Sequence, residues 1–239
     1  MLSSRRLSRM YLSVAAGCFL SVVVIALLVH AGWTSLEDVD RDFGTPAEMW
    51  SLHHAGAVSI LLAIEVIFGT VGTVLYTLAL VGVLWRTGHR RAILWMVAVM
   101  VGTSATTTGM KLLFRRQRPR WDDSVHTLTS YSFPSGHASG IASGMGVVVV
   151  LTVLYVHRSS VRRSVFAASA ALVVLVGADR ILLGVHNLSD VLAGYAVAGF
   201  WIFTMLVAYP PDPLRKARGE PPSVSPRRSG SEASRPHRG

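Results

Sequence analysis

Residues 131–156, "YSFPSGHASGIASGMGVVVVLTVLYV", join a polar, glycine-containing segment to a long apolar run. The apolar part begins at about His137 and has the length of roughly 20 residues that a helix needs to cross a bilayer. Pro134, Ser135 and Gly136 come directly before it, where the start of a helix leaves backbone N–H groups unpaired. The stretch therefore predicts a membrane-spanning helix with a polar entrance that suits an anion.

The composition of the chain is that of a membrane protein. Of its 239 residues, 51% are hydrophobic and 15% are charged, which is too apolar for an ordinary soluble domain of this length. A formal net charge of +10 would suggest nucleic acid as the partner of a soluble protein. Here the charge lies mainly in predicted loops, so we expect no nucleic-acid binding. The one cysteine, Cys18, lies in an apolar run and excludes a disulfide framework and a cysteine-based metal site.

Six apolar stretches are long enough to cross a bilayer as helices. They run over residues 11–32, 57–85, 92–114, 137–156, 165–184 and 188–209. The alternating pattern of a membrane β-barrel is absent from the sequence. The sequence therefore predicts an all-α fold, a bundle of six transmembrane helices.

The distribution of Lys and Arg among the short loops predicts the orientation of this bundle. Basic clusters precede the first span and follow the second and fourth spans, which indicates that these ends are cytoplasmic. Their members are Arg5, Arg6, Arg9, Arg86, Arg90, Arg91, Arg158, Arg162 and Arg163. The loop after the first span is acidic and suits the opposite side. We therefore expect a cytoplasmic N-terminus (1–10), a membrane domain (11–209) and a disordered, basic cytoplasmic tail (210–239).

The loop between the third and fourth spans breaks this charge rule. It carries Arg115, Arg116, Arg118 and Arg120 on the side that is predicted to be extracytoplasmic. Reversing the topology would put three basic loops and the basic tail outside, so a functional reason explains these arginines better. We expect them to hold an anionic group.

Three polar clusters fall on this same outer face. Lys111 lies at the end of the third span with Arg118 seven residues later, and the PSGH sequence (134–137) opens the fourth span. The third cluster surrounds the short loop between the fifth and sixth spans and consists of Arg180, His186 and Asp190. Topology alone brings these distant stretches to one depth and one side, so the sequence predicts a joint site.

The spacing of His186 and Asp190 suits a catalytic pair. Four residues separate them, which places both on one face if a helix begins at His186. A carboxylate in that position fixes the tautomer of the imidazole and raises its basicity. A histidine held in this way can act as a nucleophile.

The three clusters together resemble the type 2 phosphatidic acid phosphatase (PAP2) superfamily. Its pattern reads K-x6-RP, then PSGH, then SR-x5-H-x3-D, and the chain matches it at 111–119, 134–137 and 180–190. Asp179 departs from the pattern, because the family has Ser there. We expect this acid to pair with Arg180 or to weaken the pull of the site on phosphate. The six-helix layout extends the resemblance to a PAP2/haloperoxidase-like core.

The resemblance implies a two-step phosphoryl transfer that needs no metal or other cofactor. His186 would attack phosphorus and form a phosphohistidine while Asp190 holds the imidazole, and His137 would protonate the leaving lipid alkoxide and then activate water. The residues implied to bind phosphate are Lys111, Arg118, Ser135, Gly136 and Arg180. Asp122 and Asp123 are interpreted as part of a polar loop rather than as metal ligands.

The position of the site at the outer face of the cell membrane suits a lipid whose phosphate lies at headgroup level. Phosphatidic acid, phosphatidylglycerophosphate and undecaprenyl pyrophosphate are the candidate substrates, and the pocket residues do not decide among them. We therefore expect a metal-independent lipid phosphatase whose partners are its lipid substrate and the bilayer. A lipid phosphotransferase and a non-enzymatic membrane transporter or lipid-binding protein remain as alternatives.

Other polar residues within or beside the apolar stretches belong to no matched motif. Glu65, deep in the second span, is interpreted as a buried structural partner. His53 and His54 are interpreted as interfacial residues. The small and hydroxyl side chains of residues 102–109, "GTSATTTG", are interpreted as a helix-packing surface.

Overall fold

The computed structural model describes residues 4–121 and 128–217, which form helices and their connections. The helices are α1 (Ser4–His30), α2 (Thr34–His53), α3 (Ala55–Phe68), α4 (Thr70–Arg86), α5 (Arg90–Phe114), α6 (Gly136–Tyr155), α7 (Ser159–Leu182), α8 (Leu188–Ala208) and α9 (Asp212–Ala217). The described residues contain no strand, so the predicted all-α class is confirmed.

The apolar helices form the predicted membrane bundle. Five of the helices in the described part of the chain, α1, α5, α6, α7 and α8, are long and apolar enough to cross a membrane. Helices α2 and α3 pass the same test only as a pair, which is bent by 113° and would count as a sixth span. The orientation of the bundle in the membrane stays a prediction.

The prediction of one continuous helix over residues 57–85 is wrong. The chain breaks at Gly69, so that α3 ends and α4 begins within this apolar stretch. A side chain on Gly72 would lie 1.6 Å from the carbonyl oxygen of Ile67, and one on Gly69 would lie 2.8 Å from that of Glu65. Only glycine leaves room for the chain to turn this tightly, and hydropathy alone does not reveal the break.

Two segments that were predicted to be loop or tail contain helices. The acidic segment after α1 forms α2, and it buries Asp40 to 4% exposure. In the predicted tail, α9 forms near the membrane domain, and Arg91 Nε donates a hydrogen bond of 2.7 Å to the carbonyl oxygen of Pro210. Residues 218–239 of that tail lie outside the described residues.

The close approach of α6 and α8 positions the candidate site. A side chain on Gly194 would lie 2.7 Å from the carbonyl oxygen of Ser135, so glycine lets the two helices touch at this level. The backbone N–H of Ser135 donates to the carbonyl oxygen of Asp190 at 2.9 Å. The start of α6 is therefore tied to the first turn of α8, which brings the second and third predicted clusters together.

Candidate active site

His186 and Asp190 lie side by side at the start of α8. The sequence analysis assumed that the helix begins at His186, but α8 begins two residues later, so His186 lies in the preceding loop. Its Nδ1 nevertheless lies 3.6 Å from Oδ2 of Asp190. The same carboxylate oxygen accepts hydrogen bonds from the Asn187 backbone N–H at 2.9 Å and from the Ser132 hydroxyl at 2.5 Å. Asp190 thus holds both the imidazole and the start of the helix.

The hydrogen bonds around His186 fix its tautomer. Arg118 Nη1 lies 3.2 Å from Nε2 of His186, and because a guanidinium only donates, Nε2 must carry the lone pair. The proton is then on Nδ1, which faces Asp190 and the Ser132 hydroxyl. Burial lowers the pKa of His186 to about 3, which favours this neutral form. Nε2 is therefore a neutral nitrogen that carries an unprotonated electron pair, as a nucleophile requires.

Two cationic side chains, those of Lys111 and Arg118, line the same cavity as this nitrogen. Lys111 Nζ donates to the carbonyl oxygens of Tyr131 at 2.5 Å and Ser132 at 3.3 Å. Arg118 donates to the Ser130 carbonyl at 2.8 Å and to the Ser130 hydroxyl at 3.0 Å, and burial lowers its pKa. These backbone carbonyls and the Ser130 hydroxyl thus orient the two cationic side chains.

A cavity of about 550 Å³ joins five of the eight predicted site residues. These residues are Lys111, Arg118, Gly136, His137 and His186. Ser135, Arg180 and Asp190 lie behind its wall, and each is fully buried. The Ser135 hydroxyl accepts from the Ala138 N–H at 3.4 Å and caps α6, so the structure gives it a helix-capping position.

His137 faces the cavity from the first turn of α6. Its Nε2 donates to the backbone carbonyl of Glu65 at 3.3 Å, since that oxygen can only accept. The break in the chain after α3 lies against this ring, because a side chain on Gly69 would come within 3.3 Å of Nε2. The tight turn at Gly69 therefore makes room for the second histidine.

Arg180 is enclosed by two acids. It forms a very short ion pair with Asp179, donates through Nε to the same Oδ2 at 2.8 Å, and lies 3.3 Å from Oε2 of Glu65. The expectation that Asp179 pairs with Arg180 is confirmed, and Glu65 is a structural partner as predicted, although it is half-buried. In this structure, the charge of Arg180 is directed to these carboxylates and not to the cavity.

A buried network behind Asp190 was missed by the sequence analysis. Arg116 donates to Asp190 Oδ1 at 2.7 Å, to the Ser189 hydroxyl at 2.7 Å and to Asp40 Oδ2 at 2.8 Å. Asp40 also accepts from the Ser189 N–H at 2.9 Å and from its hydroxyl at 2.6 Å. The acids raise the pKa of Arg116 against the opposing effect of burial. Arg116 was predicted only to hold an anion, and Asp40 was assigned to a loop.

Residues 102–109 do more than pack helices. Thr106 accepts a hydrogen bond of 2.9 Å from Trp201 Nε1, and Gly102 lies against the same indole, as a packing surface requires. Thr103 and Thr107, on another face of α5, line the cavity instead. The interpretation as packing is therefore correct for only part of this motif.

The remaining polar residues have simpler surroundings. His53 and His54 are exposed, and their Nδ1 atoms lie 2.6 Å and 2.7 Å from backbone carbonyls one turn earlier in α2. Asp122 and Asp123 lie outside the described residues. Within the described ranges, no three His, Cys, Asp or Glu side chains are grouped closely enough to hold a metal ion.

Relatives of known structure share this architecture. The chain superposes with a TM-score of 0.69 on a transmembrane PAP2-type phosphatidylglycerolphosphate phosphatase from Bacillus subtilis, with 21% identity and coverage of 80% of this chain and 93% of that one. LpxE from Aquifex aeolicus superposes with a TM-score of 0.51 and 16% identity, over 71% of this chain and 93% of that one. These likenesses support the fold.

Sequence comparison identifies the family. Phosphatidylglycerophosphatase B from Bacillus subtilis (strain 168) is 27% identical over 207 residues, which cover 84% of this chain and 95% of the relative. The model of the PAP2 superfamily matches residues 92–212. That match spans half of the chain and contains all three motifs, so the chain belongs to the PAP2 superfamily.

Proposed function

We propose that this protein is a membrane phosphatase that hydrolyses a lipid phosphate through a phosphohistidine at His186. The observation that carries the proposal is the state of His186 Nε2. It holds a lone pair, it lines the cavity, and Arg118 lies 3.2 Å from it. A phosphoryl group drawn to Arg118 and Lys111 would meet the electron pair that attacks it.

The proposed reaction has two steps. The Nε2 electron pair forms a bond to phosphorus as the bond to the lipid oxygen breaks, and the imidazolium form of His137 gives a proton to the leaving alkoxide and becomes neutral. His137 then takes a proton from water, whose oxygen attacks phosphorus and returns the electron pair to Nε2. Lys111 and Arg118 balance the charge on the phosphoryl oxygens in both steps, so we propose that no metal is needed.

The proposed substrate is a lipid on the extracytoplasmic side of the membrane. The cavity opens between α4 and α5, where Val74 is 50%, Leu78 60% and Val101 60% exposed, so an acyl chain can remain in the bilayer. The similarity to a phosphatidylglycerophosphatase favours a phosphorylated glycerolipid. The basic loops that are predicted to be cytoplasmic lie at the opposite ends of the spans from the site, which favours the extracytoplasmic face for it.

The central test is phosphate release by the purified His186→Ala variant in detergent. We expect activity on short-chain lipid phosphates to fall to background while the melting temperature stays near that of the wild type. His53→Ala, which removes an exposed histidine that does not line the cavity, is the matched control and should retain full activity. Undiminished phosphate release by the His186 variant would overturn the proposal.

Two additions to this assay test the finer claims. Quenching with alkaline detergent after a brief incubation with ³²P-labelled lipid should trap base-stable, acid-labile label on the wild type but not on His186→Ala. EDTA should leave the rate nearly unchanged, and a large loss that magnesium restores would refute a metal-independent mechanism. Consumption of lipid phosphate without accumulation of inorganic phosphate would indicate transfer to another acceptor.

A further inference from the structure

The cavity continues from the phosphate site into the layer of membrane helices, where hydroxyl groups form part of its wall. Hydroxyl side chains from three helices line it: Thr70, Thr73 and Thr77 of α4, Thr103 and Thr107 of α5, and Ser139 of α6. Some of these hydroxyls are paired within the protein, since Thr77 donates to the carbonyl oxygen of Thr73 at 2.7 Å and Ser139 to that of Gly136 at 3.1 Å. A hydroxyl that has no partner is costly in an apolar medium and would indicate an occupant that carries oxygen atoms.

The hydroxyls of α5 lie at defined depths below the phosphate site. Thr107 lies one helical turn from Lys111 and Thr103 lies two turns away, or roughly 6 Å and 12 Å along the axis. Thr107 donates to the Ser139 hydroxyl at 3.1 Å. Thr103 is 2% exposed, and its hydroxyl has no hydrogen-bond partner within the described part of the chain. A buried, unpartnered hydroxyl beside the cavity leaves hydrogen-bonding capacity for a ligand.

We infer that this hydroxyl wall binds the glycerol backbone of the substrate through its ester oxygens. The inference rests on the proposed function and narrows its substrate class. When a phosphate is held by Lys111 and Arg118, a glycerolipid places its ester groups within the next several ångströms towards the bilayer. A polyprenyl phosphate has only hydrocarbon there. The wall therefore favours phosphorylated glycerolipids over polyprenyl phosphates.

The other side of the cavity fits this assignment. The opening between α4 and α5 includes exposed apolar side chains, as described above for Val74, Leu78 and Val101. Acyl chains attached to the bound esters can leave through this opening and stay in lipid. The polar wall and the apolar opening thus match the two parts of one glycerolipid.

The test compares three soluble monophosphates in detergent: dioctanoyl phosphatidic acid, its dialkyl ether analogue without ester carbonyls, and farnesyl phosphate. Thr103→Val removes the hydroxyl and keeps the shape of the side chain. We expect kcat/KM for the diester to fall by about three- to tenfold, the effect of one lost hydrogen bond. Activity on the other two lipids should change less than twofold.

Two further variants keep the test decisive. Ser104 is exposed and lines the same cavity, so Ser104→Ala should also lower kcat/KM for the diester more than for the other two lipids, by a smaller factor. This variant provides the test if Thr103→Val does not fold. Thr106→Val is the matched control, because Thr106 contacts Trp201 on a different face of α5. Equal losses on all three lipids, or no loss on the diester, would overturn the glycerol site. A wild-type protein that releases phosphate from none of them would instead overturn the proposed function.

Discussion

Replacement of Asp40 by Asn should slow catalysis although Asp40 lies behind the cavity and does not line it. Asp40 and Asp190 share Arg116, so the three groups carry a net charge of −1 beside His186. Asp40→Asn preserves the shape of the side chain and brings that charge to zero, and its amide oxygen can still accept from the Ser189 N–H, but its NH₂ group cannot accept from Arg116. In the proposed reaction the imidazole becomes positively charged when Nε2 bonds to phosphorus, and it would then lose part of its electrostatic support.

The size of the effect follows from Coulomb's law. At a separation of roughly 9 Å and an effective dielectric constant of about 20, one unit charge contributes roughly 2 kcal/mol. A barrier raised by that amount lowers the rate by about 30-fold. We expect the loss in kcat, because the charge acts on the reacting histidine and not on the binding of the lipid.

The assay is steady-state phosphate release, with the melting temperature measured in parallel. Ser189→Ala is the control, because it removes hydrogen bonds to Asp40 and Arg116 without changing any charge. It should cost less than about threefold in kcat. The electrostatic explanation would be refuted if a folded Asp40→Asn protein kept kcat within threefold of the wild type. An equal loss in Ser189→Ala would point to packing instead.

Three further predictions concern charge, pH and topology. Asp179→Ser removes one of the two acids that pair with Arg180. Vanadate, an anionic analogue of phosphate, should then inhibit more tightly, on the order of tenfold, which is the effect of a unit charge at roughly 10 Å. Unchanged inhibition would contradict this. Because the lowered pKa keeps His186 neutral in mildly acidic solution, the acid limb of kcat/KM should lie below pH 5 after correction for substrate ionisation, and not near pH 6.5. Thr129→Cys in a Cys18→Ala background should react with an impermeant thiol reagent from outside the cell, and labelling from the cytoplasm alone would reverse the orientation.

Features that depend on local sequence could be predicted closely. The fourth span was predicted at 137–156, and α6 (Gly136–Tyr155) differs from it by one residue at each end. The last span was predicted at 188–209, and α8 (Leu188–Ala208) ends one residue earlier. These helices are apolar runs with Ser135 and Asn187 as N-cap residues, so pattern and capping agree. The break at Gly69 escaped prediction because the flanking residues are apolar in either conformation.

Features that depend on distant contacts could not be predicted. Asp40 and Ser189 are 149 positions apart, and no periodicity links them. Asp40 was one of several acids in a segment that looked like a polar loop, and nothing in its neighbours marks it as the one that is buried. The family motifs located Lys111, Arg118, His186 and Asp190, but not Arg116 and Ser132, which donate hydrogen bonds to Asp190.

Two of the arginines near the site are each shared by two acids. Arg116 is shared by Asp40 and Asp190 behind His186, and Arg180 is shared by Asp179 and Glu65, whose backbone carbonyl holds His137. Each group of two acids and one arginine is negative by one charge. The group behind Asp190 can therefore stabilise the positive charge that His186 carries during the proposed reaction.

The cations that line the cavity follow the opposite rule. Within the described residues, Lys111 and Arg118 donate to backbone carbonyls, to Ser130 and to His186, but not to a carboxylate. In the proposed reaction, their two positive charges would face a phosphate monoester, which carries two negative charges when fully ionised. Asp190 thus holds His186, while these two cations remain available for the proposed substrate. Asp179, where the family has serine, adds to the buried acids without neutralising these cations.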